Sequence, residues 1–274
     1  MGYEMNSNIQ YRLLDANCIL RRCLHAGPIP LQETDPVCDV DVAAETQVHV
    51  PCGTVDRFLK ALCKHYGAYG IAAVDGDMVI GQVRFYPSVL GKMMRTTRGV
   101  LLSTCVQEHD QVQAMSHIDF STMPAKNSLS PRALSIACFQ VVNDYKAMAE
   151  GRPTNQPSYL HRGIGTMLLE KTIKWARVEG WDEIRDQAIP HIPPLMTWHC
   201  HLSVERYRKF GFEITRSAET LDGPISQRQG YHGEAMKRMW EPFAHMSDEE
   251  VSMLYDVVAQ NQLMGTPKHC ASRP

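Results

Sequence analysis

The stretch Pro157-Ser158-Tyr159-Leu160-His161-Arg162-Gly163-Ile164-Gly165-Thr166 runs straight into Met167-Leu168-Leu169-Glu170-Lys171-Thr172-Ile173-Lys174-Trp175-Ala176-Arg177-Val178-Glu179-Gly180. The second run predicts an amphipathic helix. Leu169, Ile173 and Ala176 fall on one stripe, Glu170, Lys171, Lys174 and Arg177 face elsewhere, and Gly180 stands where a left-handed C-terminal cap is expected. A glycine pair opening such a helix leaves backbone N–H groups unpaired and accessible, which favours an anion. Gly163 and Gly165 let a ligand approach the backbone, the helix dipole adds partial positive charge, and His161 and Arg162 add more. Two common phosphate loops are excluded. There is no Gly-x-x-x-x-Gly-Lys-Ser/Thr run, and Leu168 stands where a dinucleotide fingerprint needs its third glycine.

The run Pro-x-Tyr-x-x-x-Gly-Ile-Gly-x-x-Leu-Leu resembles the acetyl-CoA pyrophosphate loop of the GCN5-related N-acetyltransferases (GNAT superfamily), written Arg/Gln-x-x-Gly-x-Gly/Ala. Downstream, Tyr207-Arg208-Lys209-Phe210-Gly211-Phe212 is similar to the same family's Tyr-x-Lys-Leu-Gly-Phe motif. The resemblance spans Ile71 to Trp240 with gaps. It implies an α/β fold with a mixed, splayed central sheet flanked by helices, here with an insertion at about 88–132 and a C-terminal helix. The expected domain covers 1–245, with 246–274 as a helical appendage and tail that packs either on the domain or on a second subunit, and only the second alternative gives a homodimer.

Composition narrows the class of partner. The chain has 274 residues and a formal net charge of −2, with no Lys/Arg cluster to suit nucleic acid or an anionic membrane. Neither a signal peptide nor a bilayer-spanning run is expected, so the sequence reads as soluble and cytoplasmic. Its nine cysteines are dispersed and odd in number, which suits reduced thiols better than a disulfide framework. Cys18, Cys23, His25 and Cys38 match no closed zinc-site spacing, and no metal is expected. His199-Cys200-His201 are adjacent on an expected helix, so they cannot converge on one ion.

Along the chain, Ile9 to Leu14 predict a strand and Ile19 to His25 a short helix. Thr54 caps a helix through Val55, Phe58, Leu59, Leu62 and Cys63. Ile71–Val74, the turn Asp75-Gly76-Asp77 and Met78–Tyr86 predict a hairpin. Pro87 to Pro131 reads as an insertion, either shaping a substrate pocket or running over the surface. Ala133 to Val142 is nearly continuously apolar, as a central strand covered on both faces should be. Trp181 to Ile189 predicts the next strand and Leu195 to Phe210 a helix closed by Gly211. Phe212–Arg216 and Tyr231–Trp240 are expected to pair as the last strands. Ser247-Asp248-Glu249-Glu250 reads as a capping box for a final helix with Val251, Leu254, Val257 and Val258 on one face.

The resemblance assigns roles to these elements. The amides of His161, Arg162, Gly163, Ile164, Gly165 and Thr166 would cradle the pyrophosphate of acetyl-CoA, the co-substrate. The main chain near Val141 and Val142 would pair with pantetheine, and Tyr207 would protonate the departing thiolate or, alternatively, only pack beneath the cofactor. The implied reaction is direct acetyl transfer to a primary amine of a small molecule or peptide. By residue type alone, Glu108, Asp110, Asp119 and Asp186 are candidates for the base. Leu160 departs from the motif's Arg/Gln, and Cys200 stands where the family commonly has Asn. Those departures favour one rival, a non-catalytic CoA-binding sensor or interaction module. A second rival is a thiol enzyme or metal protein using Cys200 or the N-terminal cysteines.

Overall fold

The computed structural model describes residues 8–20, 24, 28–31, 54–93, 120–142, 159, 161–188, 202–217 and 251–265. Eight strands form one sheet: β1 (Ile9–Leu14), β2 (Ile29–Pro30), β3 (Gly70–Asp75), β4 (Met78–Pro87), β5 (Ala133–Val141), β6 (Glu183–Ala188), β7 (Glu213–Ser217) and β8 (Val251–Asp256). Their order is β1-β3-β4-β5-β6-β8-β7, with β2 paired to the start of β4. Every ladder is antiparallel except β5–β6. The described helices are α1 (Thr54–Tyr66), α2 (Ser88–Met93), α3 (Ile164–Val178), α4 (Val204–Lys209) and α5 (Val257–Gly265). Among the described residues no helix is long and apolar enough to cross a membrane.

The β3–β4 hairpin forms as its sequence predicts. Gly76 takes φ +62° in the turn, a region that costs an L-residue strain. Helix α3 lies against β3, β4 and β5. Its close seat depends on Gly81, where an added Cβ would come 2.9 Å from Ile164 Cγ2 and 3.3 Å from Leu168 Cδ1. Ile164, Leu168, Leu169, Ile173 and Ala176 are buried along this seam, and Trp175 stacks on Phe85 with ring centroids 4.6 Å apart.

Three expectations change. The helix expected from Leu195 does not include Leu202 or Ser203. Ser203 is extended (φ −70°, ψ 154°), and its Oγ accepts from the Arg206 amide at 3.3 Å, so it caps α4 rather than continuing a helix. Residues 189–201 lie outside the described set.

The apolar run expected to open the final helix is instead strand β8, placed between β6 and β7 within the sheet rather than in an appendage. Met253 and Tyr255 are buried and Asp256 is exposed, a period of two that the helical stripe Val251–Leu254–Val258 obscures in so short a window. Helix α5 starts only at Val257, where the Asp256 carboxylate accepts from the Ala259 amide at 2.8 Å. The capping box at 247–250 lies outside the described residues. So does Tyr231–Trp240; among the described residues β7 pairs with β8, a strand later in the chain than either of the two expected last.

Of the short helix expected at 19–25, Ile19 and Leu20 are described and are not helical, while most of it, like most of the insertion, lies outside the described residues. The insertion's C-terminal end packs on the core: Met123 is buried, and the Tyr66 hydroxyl donates to Pro124 O at 2.7 Å.

Candidate active site

The loop before α3 is held in a shape that side chains seldom adopt unaided. His161 has φ +61°, and Gly163, the N-cap residue, has φ +77°, ψ 1°. The first intrahelical bond runs from the Met167 amide to Gly163 O at 3.0 Å, and no side chain caps the helix. The amides of Ile164, Gly165 and Thr166 thus precede the ladder and point out of the helix end. An added Cβ at Gly163 would meet nothing within 4 Å, so the space beside the cap is open. At Gly165 it would lie 3.4 Å from Phe139 Cε1 and 4.0 Å from Val141 Cγ2, which seats the loop on β5.

Two further contacts anchor the loop from behind. The Arg162 guanidinium lies 5.1 Å from the centre of the Tyr159 ring, and the Tyr159 hydroxyl donates to Asp75 Oδ2 at 3.2 Å. His161, Arg162 and Gly163 remain exposed.

Beside the loop the sheet parts. The β4–β5 ladder is registered at seven positions, from Gly81↔Val141 to Pro87↔Leu134. The β5–β6 ladder holds only three, Ala133↔Glu183 to Ser135↔Arg185. From there β6 pairs along its whole length with β8, and β5 follows β4. The Val142 amide donates to Ile80 O at 2.8 Å, so that amide is committed to β4. Backbone direction alternates along a strand, so it is Val141 whose N–H and C=O point away from β4, toward the gap. Of the two residues expected to meet pantetheine, the geometry singles out Val141.

Tyr207 lies on α4 and is fully buried. Its hydroxyl donates to Asp186 Oδ2. Asp186, 6% exposed, sits on β6 immediately past the last β5–β6 pair, and its Oδ1 accepts from the Gln187 amide at 2.7 Å. Burial first, then the Asp186 charge and hydrogen bond, hold the Tyr207 phenol well above the usual tyrosine range, while a Leu202 backbone hydrogen bond works the other way. The half-buried Tyr86 on β4 is raised by burial and by the same carboxylate.

Arg206, beside Tyr207, donates from Nη1 to Thr166 Oγ1 at 2.6 Å. One contact therefore ties the tyrosine's helix to the first turn of α3 and sets a further cation at the loop. The sequence reading missed Arg206 because the motif is written from its tyrosine onward. A basic residue one position before that tyrosine was the available signal.

Of the four candidate bases, Asp186 joins the site, while Glu108, Asp110 and Asp119 lie outside the described residues, as do Leu160, Cys200, His199 and His201. The surroundings of Cys18 and Cys63 disfavour a thiolate. Burial and the nearby Asp15 raise both thiols, Cys63 to about 12. Among the described residues, no three His, Cys, Asp or Glu cluster as a metal site.

A mixed sheet that splays between β5 and β6, the one parallel pair among the described residues, with helices packed on it, is the fold that the motif resemblance implied. No family model matches the chain, and no curated protein matches it in sequence. The solved structures that it resembles are acetyltransferases of the GNAT kind. One is a GNAT family acetyltransferase from Elizabethkingia anophelis with acetyl-CoA bound, 12% identical, with a TM-score of 0.37, aligned over 92% of this chain and 99% of that one. Another is a mosquito arylalkylamine N-acetyltransferase-like protein, 13% identical, with a TM-score of 0.44, over 90% and 99%. A third is an agmatine N-acetyltransferase mutant, 12% identical, with a TM-score of 0.42, over 90% and 99%. Similarity at this level carries no functional argument. The chain's own loop, gap and buried tyrosine do.

Proposed function

We propose that this chain transfers an acetyl group from acetyl-CoA directly to a primary amine on a small molecule or peptide, with no covalent enzyme intermediate. The observation that carries this reading is the juxtaposition of a glycine-opened helix end with a split in the sheet. The helix end suits a pyrophosphate, and the exposed strand edge at Val141 suits an amide-bearing arm. The pyrophosphate would rest on the amides of Gly163 to Thr166, with Arg162 and Arg206 supplying charge. Pantetheine would add to β5 as a short strand, bringing its thioester between β5 and β6. Holding both reactants there converts a bimolecular encounter into an oriented attack.

Tyr207 supports the catalytic reading over a purely binding one. As the motif tyrosine beside the parting of the sheet it is the candidate acid for the departing thiolate; a phenol is already protonated at neutral pH, and burial, by raising it further, makes it a weaker donor. Incubating the protein with acetyl-CoA and a panel of primary amines, while following released CoA thiol and product mass, tests the proposal. Acetylated amine, with Tyr207→Phe lowering kcat by about 100-fold, is the expected result. Acetyl-CoA binding without transfer to any amine would instead mark a binding module.

A further inference from the structure

The direction of one hydrogen bond raises a difficulty for a simple acid. Tyr207 donates its only proton to Asp186. To protonate a thiolate, the phenol must turn that proton away from a buried carboxylate and leave the carboxylate short of a donor, which is costly. The cost disappears if Asp186 is itself protonated at that moment. The same oxygen pair then bonds in reverse, with Asp186 Oδ2–H donating to Tyr207 Oη, and the phenol proton is released toward the sulfur.

The position of Asp186 supplies the other half. It is the first residue of β6 beyond the β5–β6 ladder, so its backbone stands at the edge of the gap, and its buried carboxylate is bonded there to the Tyr207 hydroxyl. Its polar neighbours include the Tyr207 hydroxyl from α4 and the Gln187 amide on its own strand, and the Tyr86 phenol of β4 feels its charge.

We infer that Asp186 takes the proton of the attacking amine and passes it to Tyr207 as Tyr207 protonates the CoA thiolate. The inference rests on the acetyl-transfer reading above. The N–C bond forms as the C–S bond breaks, and the sulfur keeps its electron pair. The amine N–H proton moves to Asp186 Oδ2, the Tyr207 proton moves to sulfur, and the Asp186 proton moves to Tyr207 Oη. Amine and acetyl-CoA become amide and CoA thiol, and both residues return to their starting states.

The test compares wild type, Asp186→Asn, Asp186→Glu, Tyr207→Phe and the Asp186→Asn/Tyr207→Phe double variant. Acetyl-CoA affinity is read by calorimetry, and transfer is measured to a primary amine that the panel shows to be a substrate. Asp186→Asn keeps the shape but accepts no proton. Its kcat should fall by about 100-fold, with acetyl-CoA affinity and the amine KM nearly unchanged. Asp186→Glu should recover part of the rate, and the double variant should be no slower than the slower single, because the two residues act in one chain of transfers. Asp186→Asn turning over at the wild-type rate, or single losses that multiply in the double variant, would overturn the relay. Should Asp186→Asn fail to fold, the single-turnover rate of the wild type in mixed light and heavy water decides. A curved dependence on deuterium fraction, from several protons in flight, supports the relay, and a straight line overturns it. A wild type that binds no acetyl-CoA, or transfers to no amine, fails the acetyl-transfer reading itself.

Discussion

The two flanks of β5 differ sharply. On one side it is bonded to β4 over seven registered positions, and on the other it meets β6 over three and then parts from it. The bonded side satisfies its backbone internally and packs apolar residues, among them Val83, Phe85, Leu134, Ile136 and Phe139. At the parting stand the glycine-opened end of α3, the outward-facing main chain of Val141, and the buried Asp186–Tyr207 pair. Regular pairing builds stability, and its local interruption leaves backbone groups and space for a ligand.

That contrast can be broken first on the bonded side. An added Cβ at Gly70 would fall 2.5 Å from Val83 O and 3.3 Å from Arg84 Cα, backbone atoms that cannot step aside without disturbing the ladder. Gly70→Val should lower stability by about 3 kcal/mol or more in chemical denaturation. At the parting, Tyr207→Phe leaves Asp186 with one donor fewer and should lower stability by about 1–2 kcal/mol, alongside its far larger effect on turnover. Gly163→Ala introduces no clash but forces an alanine into the left-handed region, so about 1 kcal/mol should be lost.

Alkali sharpens the picture. Burial raises Tyr66 to about 12 and lifts Tyr207 well above its usual range. The folded state keeps these phenols protonated while the unfolded chain ionises near pH ~10, so stability is intact below pH ~10 and falls as pH rises beyond it. Tyrosinate absorbance from these residues should appear together with unfolding rather than before it. The smallest effect is expected at Asp182, whose carboxyl is lowered by its hydrogen bonds with Arg132, at 2.6 Å and 3.1 Å from the guanidinium. Its contribution is present above the unfolded carboxylate range and fades as pH falls below ~4. The pair is partly exposed, so Asp182→Asn should cost no more than about 1 kcal/mol.

Much of this architecture was legible because local chemistry and tertiary role agree. Gly76 marks its hairpin, the apolar run 133–141 its central strand, and the Gly163/Gly165 pair the start of α3. The residues that misled are those where short patterns fit two periods. Val251 to Val258 satisfies a helical stripe and a strand alternation alike, and only the edge offered by β6 decides between them. The site was half legible for a related reason. Motif residues announce themselves by spacing, as Tyr207 does. The role of Asp186 depends instead on standing just beyond the last parallel pair, and that of Arg206 on reaching Thr166, forty residues earlier in the chain. Neither placement leaves a mark in the sequence.

The central claim is that the opened end of α3 and the gap beside it receive acetyl-CoA. Calorimetric titration of the wild type and of Gly165→Leu tests this most directly, since a side chain at Gly165 would press on Phe139 and lift the loop from β5. Saturable binding of acetyl-CoA and CoA by the wild type, weakened at least about tenfold in the folded variant, a difference of about 1.4 kcal/mol, is the expected result. A folded wild type that binds neither ligand, or a variant that binds as tightly as the wild type, would contradict it.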